Sequence, residues 1–541
     1  MLRRHLWLPP STELPMIIDA VEVQAGAEIP VDVCVIGAGA AGISLAIELS
    51  SSGLIVGVLE GGGLEFEDES QELYKAKVFG KMYPDPLYTR LRFFGGSTNH
   101  WAGHCAELAE DDFEPKPWLS VDGWPIRKSD LAQYYKKAKA YCGLSDVSFN
   151  VDYWKQKSGK QIISKQFPWL DTGVSINTLQ TLFGDVYRPF LTSSETTLVF
   201  LHATVIAIEA DGTATAIERV EVVSTHQDRR FSVKARAFVL ACGGIENARL
   251  LLASKSVNER GLGNDYDLVG RYFMDHPVAK VAIFYPSNPA KVAQYLEFDP
   301  DAHGWFRISP STMRQEGLAG ARLPMIPVSR YYASEGIESF HILLNAVEAG
   351  TVPNDLTHHF WNVARDIDMV AEAIARKWFD ASITSDADRR DVYLVDSMME
   401  QLPDRANRIS LSSERDRLGL PRVEIQWRLS EADKDSLWRS CELLGRGLGA
   451  SGAGRLRVLG DQEGRTWDDL LNFGHHHMGT TRMHDDPRHG VVDRHLRVHG
   501  LHNLYVVGSS VFPTGGHVPP TLTIVALAVR LAEHLRATVN I

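Results

Sequence analysis

Three histidines stand in a row at His475, His476 and His477, followed by Gly479 and Thr480; a fourth, His517, lies in the stretch Pro513-Thr514-Gly515-Gly516-His517-Val518-Pro519-Pro520. Imidazole has an ordinary pKa near 6.5, so it can take or give a proton at neutral pH. These positions are therefore candidates for acid–base chemistry. They do not read as a metal site. In an extended segment neighbouring side chains point to opposite faces, and three consecutive imidazoles then cannot converge on one ion. Cys34, Cys105, Cys142, Cys242 and Cys441 are scattered, odd in number and without a C-x-x-C pair. That usage points to buried thiols in a reducing compartment, the cytoplasm.

A second pattern is Gly37-x-Gly39-x-x-Gly42, with Glu60 following at a distance. Residues 31–36 (VDVCVI) form a β-branched run that predicts a strand. Residues 43–50 carry Leu45, Ala46 and Leu49 at helical spacing, and 54–59 predict a second strand. In this strand–turn–helix–strand context Gly37 permits a tight turn, Gly39 lets a pyrophosphate approach the backbone, and Gly42 lets the helix pack on the strand. The phosphates lie on the helix N-terminus, where free N–H groups favour anions. Glu60 closes the second strand, placed to bind a ribose hydroxyl. A dinucleotide site follows. Its N-terminal position ahead of a long remainder favours FAD over NAD.

Around this unit the chain is long enough, at 541 residues, for two domains. Residues 129–141 have helical spacing. Residues 232–240 predict a strand that enters Cys242-Gly243-Gly244 and then a helix over 245–254. Residues 286–471 mix strands with a charged helical stretch over 363–378. The net charge of −12 argues against a nucleic-acid backbone as partner. No run of about 18 apolar residues predicts a membrane span. The start carries Arg3-Arg4 without an apolar segment after it, since Pro9 and Pro10 interrupt it, so no export signal is expected.

Four segments then carry a resemblance: GGSTNHW at 95–101, CGGIENARLL at 242–251, VGRYFMDHP at 269–277, and the block from Gly474, with GHHHMGTTRM, GVVDRHLRVHGLHNLYVVGSSVFPT and TLTIVALAVRLAEHL. Together they resemble the glucose–methanol–choline oxidoreductases, closest to the branch of pyranose oxidases, fructose and glucose dehydrogenases and bacterial glycoside oxidases. The resemblance implies an α/β fold (α+β overall). A Rossmann-like FAD domain would come from residues 27–113, 195–285 and 472–541, and a sheet-based substrate domain from 114–194 and 286–471. It implies hydride transfer from an alcohol group of a sugar or glycoside to FAD. Some dehydrogenases of the branch pass electrons through an iron–sulfur insertion or a haem partner. This chain has no cysteine cluster, so its acceptor is oxygen, a quinone or another species. A homo-oligomer is compatible with the branch.

By the same resemblance His476 is the base that takes the alcohol proton. The family places a second His or Asn in a stretch like PTSGHANPTLT. Here that place is Pro519, which has no side-chain donor or acceptor. Either His517 reaches in to substitute, or it is a loop histidine and nothing does. Gly95, Gly96, Ser97 and Thr98 would wrap the flavin, and His100 would either be bonded covalently to it or pack beside it. Asp493, Gly508, Ser509 and the helix from Thr521 would lie along the cofactor, the helix dipole facing the flavin. Pro520 suits the first position of that helix. Gln401 and Asn407 either bind substrate hydroxyls or end a strand. Trp305, Phe306, Tyr331, Tyr332, Phe340, Phe360 and Trp361 are aromatics of the expected substrate region. Three readings compete: an alcohol-oxidising flavoenzyme, a non-redox lyase on the same fold, and a flavin protein weakened by the change at Pro519.

Overall fold

In the computed structural model the glycine motif sits at the centre of a large sheet. The structure describes residues 16–539 apart from 81–82, 145–146, 161, 179–180, 290–291, 293–295, 330, 332–333, 354, 380–391 and 460–469. The twin arginine and Tyr332 lie outside the described residues.

The strand Glu28–Ile36 carries the run Val33, Cys34, Val35, Ile36, all buried. Such a continuous apolar run fits a strand covered on both faces. It pairs in parallel with Val56–Leu59 on one side and Arg230–Leu240 on the other. The sheet continues in parallel through Thr197–Leu201 to Ile17–Asp19. On its other edge the eleven-residue strand Arg230–Leu240 serves two further partners. Its first half pairs antiparallel with Ile217–Ser224, and its end pairs in parallel with Leu504–Val506. The C-terminal segment thus returns to the large sheet.

The first helix, Ala40–Ser50, begins three residues earlier than its apolar spacing predicts, with Gly39 as its N-cap. A Cβ at Gly42 would lie 1.9 Å from the Gly37 carbonyl oxygen, so only glycine lets this helix pass the turn. Gly37 itself has φ of 102°, a conformation that side chains with a Cβ resist. The last helix, Thr521–Val539, buries Leu522, Val525, Ala526, Val529 and Ala532 against the first helix and Ala132–Tyr141. Pro520 is not its first residue. The Ile524 N–H donates to the Pro520 carbonyl at 2.9 Å, which makes Pro520 the cap.

A second sheet is antiparallel. Its order is Ala321–Arg322, Val392–Met399, Pro277–Pro286, Gly454–Val458, with Met325–Val328 and Leu471–Phe473 on the two central strands. Pro277–Pro286 is central to this sheet, although a boundary at residue 285 assigns it to the first domain. The reason is pairing: its register runs from Val278 opposite Met398 to Phe284 opposite Tyr393. Similarly Ile17–Asp19 joins the large sheet although it precedes residue 27. The charged stretch 363–378 is two helices, Leu356–Arg365 and Ile367–Phe379. They break at Asp366, whose carboxylate accepts from Ser334 and the Gly336 N–H at 2.8 and 3.0 Å. All five cysteines are unpaired thiols. Among the described residues no helix is long and apolar enough to cross a membrane.

Candidate active site

A cavity of about 640 Å³ runs from Glu60 at one end to His476 at the other. The first helix opens onto it at Gly39, and no side chain caps the free N–H groups there. A Cβ at Gly39, Gly243 or Gly508 would meet no protein atom within 4 Å, although all three glycines line the cavity. They leave a trough that a side chain would fill and that a pyrophosphate fits. Glu60 is buried at its end, its oxygens accepting from Ala38 N–H at 2.9 Å and Gly62 N–H at 3.0 Å. The buried Arg92 Nε in the same wall has no partner. A dinucleotide with an anionic centre and a ribose at the Glu60 end matches this lining.

Gly96, Ser97, Thr98, His100, Ser509 and Thr521 also line the cavity. Gly95 and Gly42 lie behind it. Gly95 donates its N–H to the Ala38 carbonyl at 2.8 Å and so ties this loop to the glycine turn. Burial and the neighbouring His475 lower the His100 pKa below its ordinary value. Asp493 is not in the lining. It closes a turn by accepting from His495 and Arg497 N–H at 2.8 and 3.0 Å.

The three consecutive histidines do not alternate as an extended strand would. His475 has φ of 57°, and His475, His476 and His477 all face the cavity. Each has a different surrounding. His477 Nε2 is 3.1 Å from the Thr89 hydroxyl, and its ring stacks on Phe273. His476 Nδ1 lies 2.9 Å from His276 Nδ1. His276 is the residue that the sequence reading missed. It lies within the quoted VGRYFMDHP, where the Asp275–His276 pair was the available signal.

The His276 environment fixes both tautomers. Its Nε2 faces two carbonyl oxygens, Gly515 at 3.2 Å and Gly516 at 3.0 Å. Carbonyls only accept, so Nε2 carries the proton. Nδ1 then holds a lone pair and accepts from His476 Nδ1–H. The remaining nitrogen of His476, Nε2, is left as a lone pair. Burial lowers His276 to about 4 and, with His276 beside it, pushes His476 well below its usual value. Both rings are neutral at pH 7. Asp275 aligns the pair: its Oδ1 accepts from the backbone N–H of His276 and of His476, each at 2.7 Å. Its Oδ2 accepts from Tyr83 at 2.8 Å.

His517 is not the second member. It is fully buried on the other side, its Nδ1 3.4 Å from Asp112 Oδ1 and its ring 5.4 Å from Trp305. The cause is the buried carboxylate. Burial raises Asp112, but His517, Lys116 and Arg307 together hold it well below the carboxylate range. Gln401 and Asn407 follow the second of their two alternatives and serve the fold. Gln401 Oε1 accepts from Asp275 N–H and Trp427 Nε1, both at 3.0 Å, and its amide donates to Arg428 O. Asn407 exchanges two hydrogen bonds with the Arg428 backbone. Both amides are buried and committed to the fold, and neither lines the cavity. Trp305 and Phe306 are core, whereas Phe360 and Trp361 are exposed on a helix away from it. The cavity wall instead offers Arg322, His104, Trp101 and Met398. Burial lowers Arg322 to about 10, and its guanidinium donates to Ser175 at 3.1 Å.

Comparison with known proteins agrees with this geometry. Residues 32–261 match the family model described as FAD dependent oxidoreductase, and 403–528 match that of GMC oxidoreductase. The chain is 26% identical to 2-methyl-1,2-propanediol dehydrogenase of Mycolicibacterium austroafricanum, over 93% of this chain and 95% of that one. It is 23% identical to the fructose dehydrogenase large subunit of Gluconobacter japonicus, over 93% and 97%. The fold is shared with pyridoxine 4-oxidase from Mesorbium loti, with a TM-score of 0.52 and 16% identity over 93% of this chain and 99% of that one.

Proposed function

We propose, from the membership of this chain in the glucose–methanol–choline oxidoreductases, FAD-dependent enzymes, that it oxidises a carbinol group of a sugar, glycoside or related polyol with His476 as the base. The observation that carries this reading is the proton inventory of the histidine pair. His276 donates to two carbonyls, accepts from His476, and so leaves His476 Nε2 unprotonated at the cavity.

When bound, FAD supplies the acceptor for a hydride, that is, for two electrons and one proton from the carbinol carbon. His476 Nε2 takes the hydroxyl proton as that C–H bond breaks, and the carbinol becomes a carbonyl. Because His476 is strongly desolvated, its protonated form is costly and returns the proton readily. Asp275 accepts from both histidine backbones and so ties the two segments that carry the rings together. The N-terminus of Thr521–Val539 opens on the same cavity and favours negative charge gained there by the cofactor. Pro519 contributes surface without a hydrogen bond. Arg322 offers a donor to substrate hydroxyls, and His104, whose Nδ1–H goes to the Asn177 amide oxygen, offers the Nε2 lone pair as an acceptor. A polyhydroxylated substrate fits the names of the two relatives, which act on a diol and on fructose.

The test is anaerobic mixing of the yellow protein with a panel of sugars, glycosides and diols, followed by flavin absorbance. Bleaching by one class, slowed in His476→Ala with FAD retained, is the expected result. Substrate turnover without any bleaching would overturn it in favour of a non-redox lyase.

A further inference from the structure

Beyond the Glu60 end of the cavity, three elements bring nitrogen and oxygen donors together. His202 joins Thr197–Leu201 to Ala203–Ala210 and has φ of 50°. His226 is exposed in the turn between Ile217–Ser224 and Arg230–Leu240. Glu67 precedes the short helix Asp68–Gln71. One donor atom from each of the three lies within 4.8 Å of the other two. His202 Nε2 is 3.0 and 3.1 Å from the two Glu67 oxygens, and His226 Nε2 is 3.4 Å from Oε2. The two imidazole centroids are 4.3 Å apart.

The proton inventory at His202 is informative. Asp19 Oδ2 lies 2.6 Å from His202 Nδ1, while the other Asp19 oxygen accepts from Val21 N–H. A carboxylate only accepts, so Nδ1 carries the proton. That leaves His202 Nε2 facing the Glu67 carboxylate, 3.0 Å from Oε1 and 3.1 Å from Oε2. A carboxylate that holds Nδ1–H while Nε2 points at a ligand is the arrangement that orients metal-binding histidines.

We propose that Glu67, His202 and His226 bind one divalent transition-metal cation of the zinc, cobalt or nickel type, with Asp19 orienting His202. Bonds of about 2.0–2.1 Å in tetrahedral geometry give ligand–ligand edges of about 3.3 Å. From the single atom Glu67 Oε2, the 3.1 Å to His202 Nε2 and the 3.4 Å to His226 Nε2 bracket that edge. Two imidazoles and a carboxylate favour these ions over calcium or magnesium. The exposed His226 leaves a solvent path and an open coordination position.

The ion would act as a clamp on the cofactor wall. His202 N–H donates to Gly62 O at 3.0 Å and Ala203 N–H to Glu60 O at 2.8 Å. Thr225, next to His226, donates its N–H to His202 O at 2.7 Å and its hydroxyl to Gly61 O at 2.6 Å. The ligands therefore continue directly into residues 60–62 beside the dinucleotide. Binding stabilises the folded holoprotein by mass action.

The experiment uses the yellow holoprotein, stripped with a chelator and dialysed. It is titrated with Co2+, read by its ligand-field absorbance, and with Zn2+, read by calorimetry and by Tm. One equivalent should bind and raise Tm. His226→Ala, at an exposed position, should fold normally and weaken binding by roughly tenfold or more, and Asp19→Asn by about 10–100-fold. A charge-neutral control, His495→Ala, should bind like wild type. No cobalt spectrum and no zinc heat at millimolar ion would overturn the proposal, leaving an imidazolium between Asp19 and Glu67. Equal binding by wild type and His226→Ala would overturn it as well, placing the ion elsewhere.

Discussion

Removing His276 while keeping His476 isolates the positioning role assigned to the pair. His276→Ala deletes the acceptor 2.9 Å from His476 Nδ1 and the donor to the Gly515 and Gly516 carbonyls. A hydrogen bond between neutral groups contributes a net ~0.5–1.5 kcal/mol, which corresponds to about 2- to 13-fold in rate if all of it acts at the barrier. His476→Ala removes the proposed base and should cost ~10²–10⁴-fold. His517→Ala should change the reduction rate little, because its ring faces Asp112 and not the cavity. The assay is stopped-flow flavin reduction under anaerobic conditions with the best substrate of the panel. The decisive comparison is the double variant. If His276 acts through His476, its removal has no further effect once His476 is alanine, and the coupling equals the whole single effect. The pH profile adds a second check. Burial and His276 push His476 well below 6.5, so the acid limb of the reduction rate should lie below pH 6.5 and the rate should be flat above it. A double variant slowed by both factors in product would refute the reasoning, since His276 would then touch substrate directly. So would a His517→Ala rate as low as that of His476→Ala.

Other outcomes follow from the same geometry. The folded pKa of His276, about 4, lies below the unfolded value near 6.5, so the unfolded state binds more protons between them. Stability is complete above pH 6.5 and falls by up to ~3 kcal/mol as pH drops through 4, a loss that His276→Asn should remove in a Tm-against-pH series. Gly39→Val points its side chain into the trough and not into the protein, so it should give folded but colourless apoprotein; full flavin content would show that the pyrophosphate lies elsewhere. Acid precipitation decides His100: colour in the pellet, lost in His100→Ala, establishes a covalent bond, and colour wholly in the supernatant excludes one.

How much was legible in the sequence depends on how local each signal is. Gly37, Gly39, Gly42 and Glu60 were readable because strand, turn and helix are contiguous, and each glycine answers a constraint imposed within about 25 residues. The last helix was readable for the same reason, from its apolar spacing and the prolines before it. His476 was readable only through the motif around it. Its tautomer was not, because that depends on His276, 200 residues away in sequence. Local spacing placed His517 within reach of the vacancy at Pro519, but tertiary packing put Asp112 on its other side, and a buried carboxylate outweighs a two-residue proximity. Gln401 and Asn407 looked like polar groups offered to a ligand. The Gln401 bond to Asp275 forms where Pro277–Pro286 pairs with Val392–Met399, and the Asn407 bonds to Arg428 form where Arg408–Arg415 pairs with Pro421–Gln426. The chain alone therefore determined the cofactor class and pointed to His476 as the proposed base, where chemistry is written in adjacent residues. The folded structure decided which distant polar groups are spent on one another and which remain free to react, because a buried donor or acceptor goes to whatever partner packing brings within about 3 Å.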